Sequence, residues 1–140
     1  MTMFSHVTVG CTDLHRTIRF FEPLLLPLRV LCRPVTPDGG PPAACWITPA
    51  HPLPRFCVYH SFDGKPMSAG NGTMGAFLAA DPSAVDHSYA EALAHGGKDD
   101  GPPRPRPHYG EGYYGAYLRD PDGNKIHIVH RGDMEDQAWK

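Results

Sequence analysis

The sequence predicts an α+β fold made of two successive β-α-β-β-β modules. Short runs of alternating apolar and polar residues indicate strands, and each half of the chain has one helix that follows an aspartate cap. The helix landmarks of the two halves recur at a fixed offset of 68 residues. The matched pairs are Asp13 with Asp81, Phe21 with Tyr89, and Leu25 with Leu93. Matched roles in matched elements favour a duplicated unit. We therefore expect one domain over residues 1–140, with module one at 1–62, module two at 71–131 and a tail at 132–140.

Module one begins with a strand over residues 4–10, in which Val7 and Val9 face one side and His6 and Thr8 the other. A helix follows the cap residues 12 and 13 and carries an apolar stripe at helical spacing. Pro23 removes a backbone N–H, so the last turn of this helix is expected to be bent or 3₁₀. Residues 28–33, 44–48 and 55–60 are predicted to form three strands, separated by proline-rich loops at 34–42 and 49–54.

Module two repeats this order after a linker at residues 63–72. Residues 73–79 are predicted to form a strand, and a helix opens at Asp81-Pro82 and stops before Gly96-Gly97. An irregular stretch at 99–112, which can hold one short strand, leads into a closing hairpin around a Pro-Asp-Gly-Asn turn that supplies two more strands. Alternation along the last strand places His127 and Val129 opposite Ile126 and Ile128, so this histidine is expected on the face away from the core.

Composition excludes several classes of function. The formal net charge is −2, and the basic residues are scattered, which disfavours nucleic acid as a partner. No apolar run is long enough to span a membrane, and the N-terminus lacks the pattern of a signal peptide. The four cysteines contain no CxxC pair and do not form a disulfide framework, which favours a reducing cytoplasm.

Two stretches, NGTMGAFLAADPSAVDHSYAEALAHGG and YYGAYLRDPDGNKIHIVHR, carry a family resemblance. Module two resembles the vicinal oxygen chelate superfamily, which includes glyoxalase I, bleomycin-resistance proteins, fosfomycin-resistance proteins and extradiol dioxygenases. The resemblance covers nearly the whole chain. It implies that the two modules form an incomplete barrel around a cavity that receives a small molecule. Because dimers are common in such proteins, it also implies a homodimer.

In the enzymes of this superfamily, metal ligands occupy four positions on the first and last strands of each module. The resemblance places them on His6, His60, Met74 and His127. Many members have glutamate where this chain has His60 and His127, and histidine where it has Met74. Three imidazoles are a sufficient first shell for a divalent ion, with Zn²⁺ favoured and Ni²⁺, Fe²⁺ or Mn²⁺ as alternatives. The loss of both carboxylates removes the base that a glyoxalase-type proton transfer needs.

A glycine-rich aromatic loop supplies further candidates. Tyr109 and Glu111 are the candidate proton-transfer groups. Residues that can bind the substrate are Met74, Trp46, Phe56 and Tyr114. Arg55, on a middle strand of module one with Trp46 and Phe56, can line the same cavity or pack against a partner subunit. Each has a structural alternative: Met74 can fill the core, a strand histidine can be merely hydrogen-bonded, and the loop can pack on a partner subunit.

Three possibilities remain open on these grounds. The first is a metal-dependent enzyme of the glyoxalase or dioxygenase kind, in which the ion stabilises a developing oxyanion. The second is a metal-free binding protein that sequesters an antibiotic or metabolite. A retained fold with a decayed site is a third possibility.

Overall fold

The computed structural model describes residues 2–35 and 38–134 and has the two predicted modules. Module one contains β1 (His6–Gly10), α1 (Leu14–Leu25), β2 (Leu31–Arg33), β3 (Ala43–Thr48) and β4 (His51–Tyr59). Module two contains β5 (Met74–Leu78), α2 (Pro82–Ala94), β6 (Lys98–Pro105), β7 (Tyr113–Arg119) and β8 (Lys125–Arg131). The predicted α+β class and the β-α-β-β-β order are confirmed.

Each module folds into a four-stranded mixed sheet with the same topology. The strand orders are β1-β4-β3-β2 and β5-β8-β7-β6. In both sheets the first and last strands of the module pair in parallel, and the remaining neighbours pair antiparallel. The repeat seen in the sequence is therefore a repeat of sheet topology.

The helices begin where their caps predict. The Asp13 side chain accepts the N–H of Arg16 at 3.1 Å, and Asp81 accepts the N–H of Ala84 at 2.8 Å. Beyond Pro23, α1 continues for two residues and then tightens into a 3₁₀ turn over Leu26–Leu28. The expected change in the last turn is confirmed.

Two strands extend into segments that the prolines had marked as irregular. β4 starts at His51 rather than after Pro54, because His51 already pairs with Thr48 of β3. Residues 51–54 precede the part of β4 that pairs with β1, which begins at Arg55. β6 contains Pro102, Pro103 and Pro105. It is an edge strand with register shifts against β7, and an edge position tolerates residues that cannot donate to a ladder.

The core lies where α1 and α2 pack against each other and against one face of each sheet. Phe20, Phe21 and Leu24 of α1 are fully buried together with Ile126 and Ile128 of β8. The Ser88 hydroxyl of α2 donates to the Leu24 carbonyl at 2.6 Å, which joins the two helices. Because the helix-covered face of both sheets turns inward, the other face of each sheet, here called its open face, points away from the core.

The closing turn of module two also contacts module one. The Asn124 side chain donates to the Gly10 carbonyl at 2.9 Å, and Asp122 pairs with Arg16 at 2.8 Å. The two sheets do not close into a barrel within one chain. Neither helix of the described chain is long and apolar enough to span a membrane.

Candidate functional site

Strand register defines the open face of each module. In module one, His6 pairs with Arg55 and Thr8 with Cys57, so these four side chains lie on one side of the sheet. Cys45 joins them from β3 because it pairs with Cys57.

In module two, Met74 pairs with Lys125 and Ala76 with His127. Because His6 and Met74 occupy corresponding places, Arg55 corresponds to Lys125 and Cys57 to His127. The candidate residues of the two modules are thus matched through their strand pairing.

His60 lies outside this arrangement. β4 ends at Tyr59, and the His60 N–H donates to the Pro42 carbonyl at 3.2 Å. The predicted correspondence of His60 with His127 therefore differs from the structure, where Cys57 takes that place. The reason is that module two has two more residues between its first and last strands, so the offset grows from 68 on the first strand to 70 on the last.

The open face of module one carries a cavity of about 490 Å³. Its walls include His6, Arg33, Arg55 and Tyr59, and no carboxylate from the described part of the chain lines it. The Nε atom of Arg55 is buried without a hydrogen-bond partner. A buried guanidinium nitrogen that lacks an acceptor favours an anion beside it.

His127 is the centre of the open face of module two. It is only 2 % exposed, and both ring nitrogens are hydrogen-bonded. Nδ1 lies 2.8 Å from the Ala116 carbonyl, which only accepts, so Nδ1 carries the proton. Nε2 then accepts the Tyr113 hydroxyl at 2.7 Å. Burial lowers the pKa of His127, and the nearby cations Arg106, Lys125 and Arg131 lower it further.

Two tyrosines of β7 hold the His127 ring between them. The Tyr117 ring is nearly parallel to it at 4.1 Å and 12°, and the Tyr113 ring lies at 5.9 Å and 17°. Between the tyrosines is Gly115, where a Cβ would lie only 2.6 Å from Cε1 of His127. The Tyr-Gly-Tyr spacing of β7 therefore creates the slot in which the imidazole lies. Tyr109 extends the row, with its ring 5.0 Å from that of Tyr113.

Three cations surround this row of rings. The Arg106 guanidinium is 4.7 Å from the Tyr117 ring centre, Lys125 Nζ is 5.0 Å from the same centre, and the Arg131 guanidinium is 5.2 Å from the Tyr113 ring. Burial and hydrogen bonding to Tyr109 raise the pKa of Tyr117 to about 12, so it stays neutral.

These cations differ in their partners. Lys125 pairs with Asp100 at 3.7 Å and Arg131 with Asp133 at 2.9 Å. Arg106 is only 6 % exposed and donates to the carbonyls of Gly115 and Pro102, and no carboxylate among residues 2–35 and 38–134 pairs with it. The open face of module two therefore has an excess of positive charge around its rings.

The predicted metal ligands do not meet within one chain. Across the described residues, no three histidine, cysteine, aspartate or glutamate side chains are close enough together to hold an ion. His6 is exposed and its Nδ1 is 3.0 Å from the Ser5 hydroxyl. The Nε2 lone pair of His127 already accepts a hydrogen bond from Tyr113. Arg55 lies beside His6 and Lys125 beside Met74, so these positions carry positive charge where carboxylates would neutralise an ion. Within one chain this arrangement does not fit a divalent metal.

The other predicted site residues fall in three places. Tyr109 and Glu111 lie in the exposed turn before β7, and Met74 lies on the open face of module two at 43 % exposure. Trp46 and Phe56 are buried on the helix-covered face, where both rings pack against Phe21.

Tyr114 is also on the helix-covered face and donates to Asp86 of α2 at 2.6 Å. Sequence reasoning did not single out Arg33, Arg106, Tyr113, Tyr117 or Lys125. The available signal was the two-residue alternation of Tyr113, Gly115 and Tyr117, which places them on one face of a strand.

Comparison with known proteins agrees with the architecture. A crystal structure of a glyoxalase/bleomycin resistance protein from Albidiferax ferrireducens T118 is 36 % identical, covers 93 % of this chain and 99 % of that chain, and superimposes with a TM-score of 0.78. A glyoxalase-related enzyme from Fulvimarina pelagi is 18 % identical, covers 93 % and 88 % of the two chains, and has a TM-score of 0.67, which shows the shared fold. The search of curated proteins gives no match.

A family model matches most of the chain as well. The model for the Glyoxalase/Bleomycin resistance protein/Dioxygenase superfamily matches residues 3–128, which include both open faces and all eight strands up to the middle of β8. On this match and on the shared fold, the chain belongs to the Glyoxalase/Bleomycin resistance protein/Dioxygenase superfamily.

Proposed function

We propose that this protein binds a small, planar, anionic molecule without a metal ion. Superfamily membership supports a small-molecule-binding fold. The observation that carries the proposal is the cavity on the open face of module one, where Arg33, Arg55 and His6 line the wall and Arg55 Nε is buried without an acceptor. A carboxylate or phosphate placed there supplies the missing acceptor and charge.

The preference for a planar ligand comes from the open face of module two. Its Tyr113, His127 and Tyr117 rings form a nearly parallel row, and Arg106 lies against it without a carboxylate partner in the described chain. An aromatic ring stacks on such a row, while its carboxylate pairs with the adjacent cation. Both faces thus favour the same chemical class of ligand.

A second copy of the chain is the proposed means of bringing the two faces together. Within one chain each open face lies on the side of its sheet opposite the shared core, because α1 and α2 pack against each other and against the other faces. Leu53 on the rim of the cavity is 46 % exposed, and Met74 and Leu78 on the open face of module two are 43 % and 69 % exposed. Apolar side chains of this size favour an interface. In the homodimer, module one of one copy faces module two of the other.

The metal-dependent reaction expected from the three histidines stays a prediction. It requires Tyr113 to release His127 Nε2 and requires further ligands from a second copy. Thermal-shift titration with Zn²⁺, Ni²⁺, Fe²⁺ and Mn²⁺ tests it. A metal-induced shift that is lost in His6→Ala, His60→Ala and His127→Ala supports the metalloenzyme.

Titration calorimetry in a chelator-containing buffer tests the binding proposal. The ligand panel is benzoate and cinnamate as planar anions, inorganic phosphate as a compact anion, and benzamide as a neutral molecule of the same shape as benzoate. We expect a planar anion to bind at least tenfold more tightly than benzamide, because charge-assisted hydrogen bonds contribute roughly 1.5–3 kcal/mol. Light scattering of the same samples should show a dimer.

Matched arginine variants localise the binding. Arg55→Gln should weaken benzoate binding about tenfold or more, whereas Arg19→Gln, on the exposed surface of α1, should leave it unchanged. If benzamide binds as tightly as benzoate, or if no member of the panel binds the metal-free protein, the proposal is wrong.

A further inference from the structure

Cys45 and Cys57 are directly opposite each other on neighbouring antiparallel strands. The register of β3 and β4 pairs Ala44 with Val58, Cys45 with Cys57 and Trp46 with Phe56. Both cysteines are free thiols, with exposures of 6 % and 4 %. Two thiols at one cross-strand position differ from a lone buried cysteine, since each is the nearest reaction partner of the other.

The hydrogen-bond pattern places this pair at the closer type of cross-strand position. The His60 N–H donates to the Pro42 carbonyl at 3.2 Å, so residues 42 and 60 form a hydrogen-bonded pair. Hydrogen-bonded and non-hydrogen-bonded pairs alternate along an antiparallel ladder. Counting three steps along the register makes Cys45 and Cys57 a non-hydrogen-bonded pair, in which Cα atoms are about 4.5 Å apart. This separation lies within the range that a disulfide spans, roughly 4.4–6.8 Å.

The cavity of module one gives access to the pair. Both thiols line the cavity on the open face of module one, beside Arg55 and Tyr59. The other two cysteines are separated from it. Cys11 belongs to the buried core, and Cys32 pairs with Trp46 in the ladder, which places it on the opposite face of the sheet.

We propose that Cys45 and Cys57 are a modification site that a hydroperoxide entering the cavity converts to an intramolecular disulfide. The crosslink joins β3 to β4 next to Arg55 and Tyr59 and so fixes the floor of the cavity. It deepens the proposed function because it modifies the same cavity, but its formation is measured without any ligand. Failure of one proposal is therefore distinguishable from failure of the other.

The reaction has two steps. The thiolate of one cysteine attacks a peroxide oxygen, which gives a sulfenic acid and releases water (an alcohol when the oxidant is an alkyl hydroperoxide). The other thiol then attacks the sulfenic sulfur, forms the S–S bond and releases water. Two thiols lose two protons and two electrons, and hydrogen peroxide is reduced to two molecules of water.

The pH dependence of the oxidation follows from the surroundings of the pair. Burial, together with hydrogen bonding and charge interaction with Cys45, raises the pKa of Cys57 to about 12. Because the thiolate is the nucleophile, whichever thiol of the pair loses its proton attacks the peroxide, and the other resolves the sulfenic acid. Oxidation should therefore accelerate as the pH rises.

Peptide mapping by mass spectrometry tests the site directly. The full-length protein is treated with stoichiometric hydrogen peroxide, alkylated and digested without reductant. We expect a linked peptide containing Cys45 and Cys57 that has lost two hydrogens, and its disappearance on treatment with dithiothreitol. The melting temperature of the oxidised protein should rise by roughly 5 °C, because the crosslink closes a loop of about a dozen residues.

Single variants separate the pair from the other thiols. Cys45→Ser should abolish the linked peptide, should accumulate a sulfenic or sulfinic product on Cys57, and should remove the thermal shift. Cys45→Ala is the alternative if a buried hydroxyl impairs folding, and the exposed Cys32→Ser is the matched control that keeps both effects. A disulfide through Cys32, or oxidation of either cysteine to sulfinic acid without a crosslink in the wild type, would overturn the proposal.

Discussion

The Tyr113 hydroxyl donates to Nε2 of His127 across 2.7 Å, while Nδ1 of the same ring donates to the Ala116 carbonyl. Both nitrogens of a fully buried imidazole are therefore satisfied within module two. The tautomer is set by these two partners, and the lone pair that a metal would use is already occupied. The sequence predicts His127 as a metal ligand, whereas its surroundings in the structure support a hydrogen-bonded, structural role.

Removing the Tyr113 hydroxyl should destabilise the fold. In Tyr113→Phe, Nε2 of His127 loses its donor inside a buried site, at a cost of about 1–3 kcal/mol in the free energy of unfolding. Urea denaturation measures this change. Tyr59→Phe is the control, since no residue of the described chain hydrogen-bonds the Tyr59 hydroxyl, so we expect a change below about 0.5 kcal/mol. Equal losses in the two variants would contradict the assigned role.

Stability should fall on the acidic side of pH 6.5 because of His127. Its pKa is lowered from 6.5 in the folded state, so below pH 6.5 the unfolded chain binds a proton that the folded chain does not. The contribution of neutral His127 to the free energy of unfolding is complete above pH 6.5 and decreases as the pH falls toward the pKa of His127 in the folded state. His127→Gln should show a shallower loss between pH 6.5 and 5 than wild type, by less than about 1.4 kcal/mol per pH unit, while the exposed His15→Gln should match wild type. Parallel pH profiles for His127→Gln and wild type would refute this.

The His127 slot should not tolerate a side chain at residue 115. In Gly115→Ala, the new Cβ would lie 2.6 Å from His127 Cε1 and 3.1 Å from the Ile128 carbonyl oxygen, so the imidazole must leave its place between the tyrosines. We expect a loss of about 2–3 kcal/mol, as for overpacked cores. Gly75→Ala is the matched control, because a Cβ on that β5 glycine meets nothing within 4 Å. Thermal unfolding of both variants provides the comparison, and a Gly115→Ala protein as stable as Gly75→Ala would show that the ring has room to move.

The contact between modules at the closing turn should be important for stability. Asn124 is buried and donates to the Gly10 carbonyl and to Asp120, both at short distance. Asn124→Ala leaves the Gly10 carbonyl without this donor and removes one of the hydrogen bonds to Asp120, and it should lower the free energy of unfolding by about 2 kcal/mol. The exposed Asn71→Ala should have little effect. Denaturant titration measures both variants. If the free energy of unfolding depends on denaturant concentration with the same slope in both, only stability has changed.

Local signals in the sequence predicted most of the secondary structure. The caps Asp13 and Asp81 start helices at the expected residues because a side-chain carboxylate satisfies the first free N–H groups in any context. The alternation rule is equally local: consecutive strand residues face opposite sides of the sheet, so it placed His127 and Ile126 on different faces of β8. The prolines at 52 and 54 made the predicted start of β4 too late, because whether a proline is tolerated depends on which backbone groups a neighbouring strand requires.

The sequence by itself determined the two modules, their helices and the face of each strand, because caps, periodicity and turns act over a few residues. Only the tertiary structure decided which residues of different strands are neighbours. It set Arg55 opposite His6 and Lys125 opposite Met74 in the strand register, and it placed Cys57 rather than His60 in the position of His127. It also left both open faces on the sides of their sheets opposite the shared core. Strand register and helix packing join residues that are tens of positions apart, and these contacts depend on the packing of the whole chain rather than on any local pattern.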